Sequence, residues 1–163
     1  MIVLVMGVSG CGKSTVAGRF AAAAGWTLLE GDSFHPPANV AKMAAGTPLT
    51  DADRWPWLHA IAAEIDAIRA RGESASVACS ALKRSYRAIL TGGRPDMRLV
   101  YLSGTRAEIA GRLQVRTAHF MPPALLDSQF QTLEEPGPDE YPIVVGIAAT
   151  PEAIVASIRE KLT

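Results

Sequence analysis

Apolar positions along the chain fall into five short continuous runs separated by longer stretches in which apolar and polar residues alternate at helical spacing. Ile2–Met6 is β-branched and uninterrupted, as expected of a strand buried on both faces of a parallel sheet. Gly7–Gly12 is a glycine-rich turn, and Lys13 to about Ala24 reads as a helix. A second strand fits Thr27–Leu29, ending at Glu30-Gly31-Asp32. Pro36 and Pro37 then open a helix that stops near Gly46-Thr47-Pro48. In Trp55–Arg69, with Asp51 and Asp53 just ahead, Trp57, Leu58, Ile61, Ile65 and Ile68 recur at helical spacing. Ser76–Cys79, Arg98–Leu102 and Ile143–Gly146 supply three further strands. Arg84–Leu90, about Thr105–Arg116 and Glu152–Leu162 supply helices between and after them. Residues 116–138 contain four prolines and read as an excursion, with a short helix over Ala124–Leu133 inside it. Strands alternating with helices predict an α/β domain whose central five-stranded parallel sheet is covered on both faces.

Composition narrows the class. The 163 residues are 48% hydrophobic and 20% charged, enough apolar material for one buried core and one domain over 1–163. Sixteen basic groups balance sixteen acidic ones, and a dedicated nucleic-acid binder is expected to carry a basic excess. The balance is uneven along the chain. Lys83, Arg84, Arg87, Arg94, Arg98, Arg106, Arg112 and Arg116 crowd 83–116, and five acids without a base occupy 127–141. Such bias suits either a small polyanionic ligand or a solvated charged face. Two cysteines, Cys11 and Cys79, make no disulfide framework, and no apolar run reaches membrane-spanning length. With no basic, long-apolar leader at its start, the chain is expected to be cytoplasmic, without a membrane or nucleic-acid partner.

The chemistry is concentrated after the first strand. Gly7-Val8-Ser9-Gly10-Cys11-Gly12-Lys13-Ser14 satisfies G-x-x-x-x-G-K-[ST] between a strand and a helix, the context that makes the pattern a phosphate loop. Glycines let the backbone wrap a phosphate closely, and its N–H groups together with the helix dipole attract the anion. Residues 7–15, through Thr15, are thus the expected ATP-binding segment. Lys13 is expected to reach the β- and γ-phosphates, and Ser14 to ligate Mg²⁺. No N-K-x-D base-reading motif of a GTPase occurs, and no strand ends in the Asp of an ATPase motor. The acids that follow an early strand are Glu30 and Asp32, an arrangement suited to a small-metabolite kinase.

Beyond the loop, longer motifs carry a resemblance. Gly31-Asp32-Ser33-Phe34-His35-Pro36 with Asn39, Lys42-Met43 and Gly46 is similar to the gluconate kinase family. So are Pro48-Leu49-x-Asp51-x-Asp53-Arg54-x-Pro56-Trp57-Leu58 and Cys79-Ser80-Ala81-Leu82-Lys83 with Tyr86-Arg87. Arg112, Arg116, His119-Phe120, Ser128-Gln129-Phe130 and Leu133-Glu134-x-Pro136-Gly137 follow in the same order. The resemblance implies a P-loop kinase fold with a helical lid over about 112–133 and phosphorylation of D-gluconate to 6-phosphogluconate by ATP with Mg²⁺.

It also implies residue roles. Asp32 accepts the proton of the attacking hydroxyl or, alternatively, holds a metal-bound water. Glu30, where family members more often have Asp, holds the metal's water shell. Arg54, Lys83 and Arg87 are the cations for the substrate carboxylate, and His35 and Ser80 read its hydroxyls. Arg112 and Arg116 close over the phosphates, with Ala118 at a hinge position usually held by glycine. His119 belongs to the lid, as a functional or a packing residue. A homodimer is implied as well. Trp26, Trp55 and Trp57 read as packing residues, because an open-chain polyol acid has no flat face to stack. Two alternatives remain at this point: a related small-metabolite kinase for another sugar acid or shikimate, and a catalytically silent nucleotide-binding regulator.

Overall fold

The computed structural model describes residues 1–115 and 123–163. Five parallel strands, β1 (Ile2–Met6), β2 (Thr27–Glu30), β3 (Ala75–Ala78), β4 (Met97–Ser103) and β5 (Ile143–Gly146), lie in the order β2-β3-β1-β4-β5. Helices α1 (Lys13–Ala24), α2 (Pro37–Ala44), α3 (Asp51–Ala70), α4 (Arg84–Thr91), α5 (Arg106–Val115), α6 (Pro123–Thr132) and α7 (Pro151–Leu162) connect and flank them.

The apolar run of β1 is continuous because both of its faces are covered. Val3 and Val5 meet Val16, Ala17 and Phe20 of α1 and Ile154 and Ile158 of α7 on one side. Ile2, Leu4 and Met6 meet Trp57, Leu58, Ile61, Ile65 and Ile68 of α3 and Tyr86 and Leu90 of α4 on the other. Period-two alternation is present but hidden from sequence, since both faces are apolar. The fold is a P-loop kinase sheet with helices on both faces.

One boundary differs from expectation. Helix α3 starts at Asp51, four residues before Trp55, and carries Pro56 inside it. The apolar repeat opens at Trp55, but the start is set by Thr50. Its hydroxyl accepts the Asp53 N–H at 3.1 Å, while the Asp53 carboxylate accepts the Thr50 N–H at 2.9 Å. This reciprocal cap satisfies the first turn and moves the start upstream. Of the three tryptophans, Trp57 is buried and Trp26 and Trp55 are partly so, each against a core cluster.

In a parallel sheet, ligands collect at the carboxyl ends of the strands. Here that edge carries Gly7 after β1, Gly31-Asp32 after β2, Ser80 after β3 and Ile147 after β5.

Candidate active site

The loop between β1 and α1 is pinned from below and open above. Val8 and Cys11 are buried anchors, whereas Ser9, Gly10 and Gly12 are only partly covered. Gly10 and Gly12 have φ of 82° and 97°, the left-handed region that side chains disfavour. Gly12 caps α1 without a side-chain bond, so the helix's first N–H groups are not consumed by a capping side chain. Lys13 folds back along the loop and donates from Nζ to the Val8 carbonyl at 3.1 Å. Ser14 Oγ donates to Glu30 Oε2 at 2.9 Å, which brings the two expected metal-side residues together across 16 positions. Thr15 follows in the first turn of α1.

Beside the loop lies a cleft lined by Ser9, Lys13, Asp32, His35, Arg54, Trp57 and Ser80, with Leu125, Ser128 and Gln129 closing it from α6. Asp32 sits in a one-turn helix over Gly31–Phe34 at the end of β2. Gly31 is required there, since a Cβ would stand 2.5 Å from the Ala78 carbonyl oxygen. Trp57 fixes the same turn by donating its indole N–H to the Gly31 carbonyl at 2.7 Å. Among the described residues, no ion pair or hydrogen bond engages the Asp32 carboxylate.

His35 stacks on Trp57, with ring centroids 4.1 Å apart and planes 15° from parallel. Burial, the largest influence, and the Arg54 charge push its pKa below the ordinary 6.5, and the Asp32 charge only partly opposes them. The neutral ring therefore dominates at pH 7. Asn39 Nδ2 donates to the Asp53 carbonyl at 2.9 Å and lies 3.2 Å from His35 Nδ1. With the amide nitrogen identified by that carbonyl, Nδ1 accepts and the ring proton resides on Nε2. His35 is thus a hydrogen-bond donor of fixed tautomer at the cleft wall.

Two residues expected to hold the substrate anion lie off the cleft. Arg87 is 1% exposed and does not line the cleft. Its Nε and Nη2 donate to the two oxygens of Glu140 at 2.7 and 3.1 Å, and Nη1 donates to the Ala81 and Leu82 carbonyls. This arginine braces the chain after β3 against Glu140. Lys83 also lies off the cleft, its Nζ on the Asp51 carboxylate at 3.0 and 3.3 Å. Arg112 lies against the phosphate loop, its guanidinium spanning the Cys11 carbonyl, at 3.4 Å, and the Ile147 carbonyl on the loop after β5. Arg116 and His119 lie outside the described residues. Cys79 is buried beside the site, and burial pushes its thiol up to about 12, so it is not a nucleophile.

Gln129 is the residue that sequence reasoning named without a role. Its Oε1 accepts the Ser9 N–H at 2.6 Å and its Nε2 donates to Ser9 Oγ at 2.9 Å. This reciprocal pair holds α6 against the phosphate loop and occupies one of the loop's N–H groups. The partners are 120 residues apart, so no local pattern reveals the bond. Tyr86 and Asp51 are further participants, bonded to Arg54 and Lys83 behind the cleft.

Comparison with known proteins agrees with this geometry. A family model described as an AAA domain matches residues 2–136. A gluconokinase of Gluconobacter oxydans is 48% identical over 155 residues, covering 95% of this chain and 87% of its own. The crystal structure of a gluconokinase from Sinorhizobium meliloti superposes with a TM-score of 0.86 at 46% identity, covering 95% of this chain and 87% of that one. An unliganded sugar kinase from Janibacter gives a TM-score of 0.93 at 45% identity, over 99% of this chain and 93% of its own. With the phosphate loop, the acid after β2 and near-complete coverage all in agreement, the chain belongs to the gluconokinase family.

Proposed function

We propose that this protein transfers the γ-phosphoryl group of ATP to the terminal hydroxyl of D-gluconate, yielding 6-phosphogluconate. The observation that carries the reading is the cleft itself. It brings Lys13 of the phosphate loop together with Asp32 and Arg54, neither of which has an ion-pair partner among the described residues, and with His35 and Ser80, whose polar groups can bond hydroxyls. An anionic polyol and a triphosphate need those complementary groups in one place.

Phosphoryl transfer depends on positioning and on charge stabilisation more than on covalent help from the protein. Lys13 leaves the Val8 carbonyl to neutralise the β- and γ-phosphates, while the loop N–H groups hold their oxygens. Arg54 takes the sugar acid's carboxylate. His35, through its Nε2 proton, and Ser80 read hydroxyls along the chain. Asp32 orients the acceptor hydroxyl and accepts its proton as the bond to phosphorus forms.

Ser14 and Glu30 present hydroxyl and carboxylate oxygens side by side, the hard donor set that Mg²⁺ prefers. When bound there, Mg²⁺ supplies charge neutralisation at the phosphates. Among the described residues no helix is long and apolar enough to cross a membrane. On the family resemblance we read the protein as a cytoplasmic homodimer, which sedimentation checks.

The test is ADP release in a coupled assay with gluconate, other aldonates and shikimate as acceptors. Gluconate is expected to be the best acceptor, and Lys13→Ala and Asp32→Asn are each expected to lose most of the turnover. Equal rates with shikimate would overturn the substrate, near-normal turnover of Asp32→Asn would remove the base role, and ATP binding without turnover of any acceptor would point to the silent regulator.

A further inference from the structure

Arg54 and Lys83 are both cations of the acceptor side, yet they are held differently. Arg54 lines the cleft and has no carboxylate within ion-pair distance among the described residues. Lys83 is off the cleft and neutralised by Asp51. Tyr86 and Asp51 link them. Tyr86, whose ring is 1% exposed, accepts from Arg54 Nη1 at 2.9 Å and donates its own proton to Asp51 Oδ1. Its ring lies 5.4 Å from the Arg54 guanidinium carbon and 5.7 Å from Lys83 Nζ. Trp55 packs edge-on against that ring, with centroids 5.6 Å apart and planes at 80°.

The directions of these bonds are determined by the number of protons available. A phenol has one proton, and Asp51, accepting from Lys83 on both oxygens, must receive it. The Tyr86 oxygen is then left as an acceptor, and a guanidinium can only donate. Burial and the Asp51 bond push the phenol up to about 12, so the arrangement persists throughout the neutral range. One N–H of Arg54 is thereby spent on Tyr86, and the rest of the planar fork remains for the cleft that Arg54 lines.

We infer that Tyr86 is a positioning residue for the substrate's carboxylate, holding Arg54 in register, and that Lys83 serves the same relay through Asp51 instead of touching the substrate. The inference rests on the gluconate reading above and specifies how that site sets its anion subsite. It moves Lys83 from contact with the substrate to a place behind it, and it gives the Tyr86 hydroxyl a task that its buried ring alone would not require.

Tyr86→Phe tests it, because the ring, its packing and both cation–π contacts are retained while the hydroxyl is lost. The expected result is a rise of about tenfold in the KM for gluconate, the scale of one hydrogen bond to a charged group. The kcat and the KM for ATP are expected to stay within about twofold, a split that general damage to the fold does not produce. Because Tyr86 acts through Arg54, adding Tyr86→Phe to an Arg54→Gln protein should raise the KM less than about twofold further. Lys83→Met is expected to raise the KM about threefold in the parent and hardly at all beside Tyr86→Phe.

An unchanged KM in Tyr86→Phe, or a tenfold rise that persists in the Arg54→Gln background, overturns the relay. So does a fall in kcat that matches the change in KM. If the unaltered protein turns over gluconate while Tyr86→Phe behaves identically, the relay alone fails. If the unaltered protein turns over no aldonate, the functional reading fails and the relay falls with it.

Discussion

Replacing Arg87 with leucine removes a charge from a place that water hardly reaches. The Arg87 side chain is 1% exposed and its partner Glu140 is 14% exposed. Leucine leaves the Glu140 carboxylate without its paired donors and strips one donor group from both the Ala81 and Leu82 carbonyls. Breaking one side of a buried pair costs about 3–5 kcal/mol, mostly through the charge that is left behind. At this chain length each kcal/mol shifts the melting temperature by about 2–4 °C, so the variant should melt about 6–20 °C below the parent. Well below that melt, its KM for gluconate should change less than about threefold.

The assay is thermal unfolding by circular dichroism across pH, because the pair has a definite pH signature. Burial pushes the Glu140 carboxyl up, but the Arg87 hydrogen bonds and the Gly137 N–H together outweigh it and hold the group below the ordinary 4.5. A carboxyl with a lowered folded pKa contributes stability that is fully present above its unfolded value and lost as pH falls through the folded one. The gap between parent and variant should be widest near neutrality and should close in acid. A variant melting within about 2 °C of the parent, or a gap that stays constant down to about pH 3, would refute the reasoning. A stable variant with a KM raised about a hundredfold would return Arg87 to the substrate.

Three further expectations follow from the same structure. Ser76 is fully buried on β3 with no hydrogen-bond partner for Oγ among the described residues, so Ser76→Ala should raise stability by about 1 kcal/mol, read as a higher melting temperature. His35 has a folded pKa below 6.5, so the unfolded chain takes up its proton first and stability declines as pH drops from 6.5 toward the folded value. His35→Gln should flatten that part of the melting-temperature profile, and an unchanged slope would show that the imidazole does not titrate as argued. Gln129→Ala removes both bonds between α6 and Ser9, and amide exchange in α6 should quicken about tenfold while β1 is unaffected.

The sheet was legible because β1, β4 and β5 are continuous apolar runs and the helices between them repeat at their own period. The phosphate loop and Asp32 were legible for a related reason: each follows a strand end, and parallel strands deliver their ends to one edge, whereas His35 and Ser80 came from the family resemblance alone. The side chains whose work depends on distant partners were not legible. Arg87 and Glu140 are 53 residues apart, Lys83 and Asp51 are 32 apart, and Gln129 and Ser9 are 120 apart. A cation within a substrate motif is the same letter whether it faces a ligand or a carboxylate, and only the fold decides which. The start of α3 lies upstream of the apolar repeat that opens at Trp55, because the Thr50–Asp53 cap is a polar signal outside that repeat.

The charge pattern illustrates how this decision is made. The basic group over 83–116 suited either a polyanion site or a solvated charged face, and most of it is neutralised within the protein. Lys83 meets Asp51, Arg84 meets Asp139, Arg87 meets Glu140, Arg94 meets Asp66 and Arg106 meets Asp127. Three of those five acids belong to the acidic stretch over 127–141, so the two biased segments largely answer one another across the fold. The cations that line the cleft are Lys13 and Arg54, both outside the basic group and both without a carboxylate partner among the described residues. The cations available to an anion in this cleft are therefore those the fold leaves unpaired, and local density of positive charge is a poor guide to where they are.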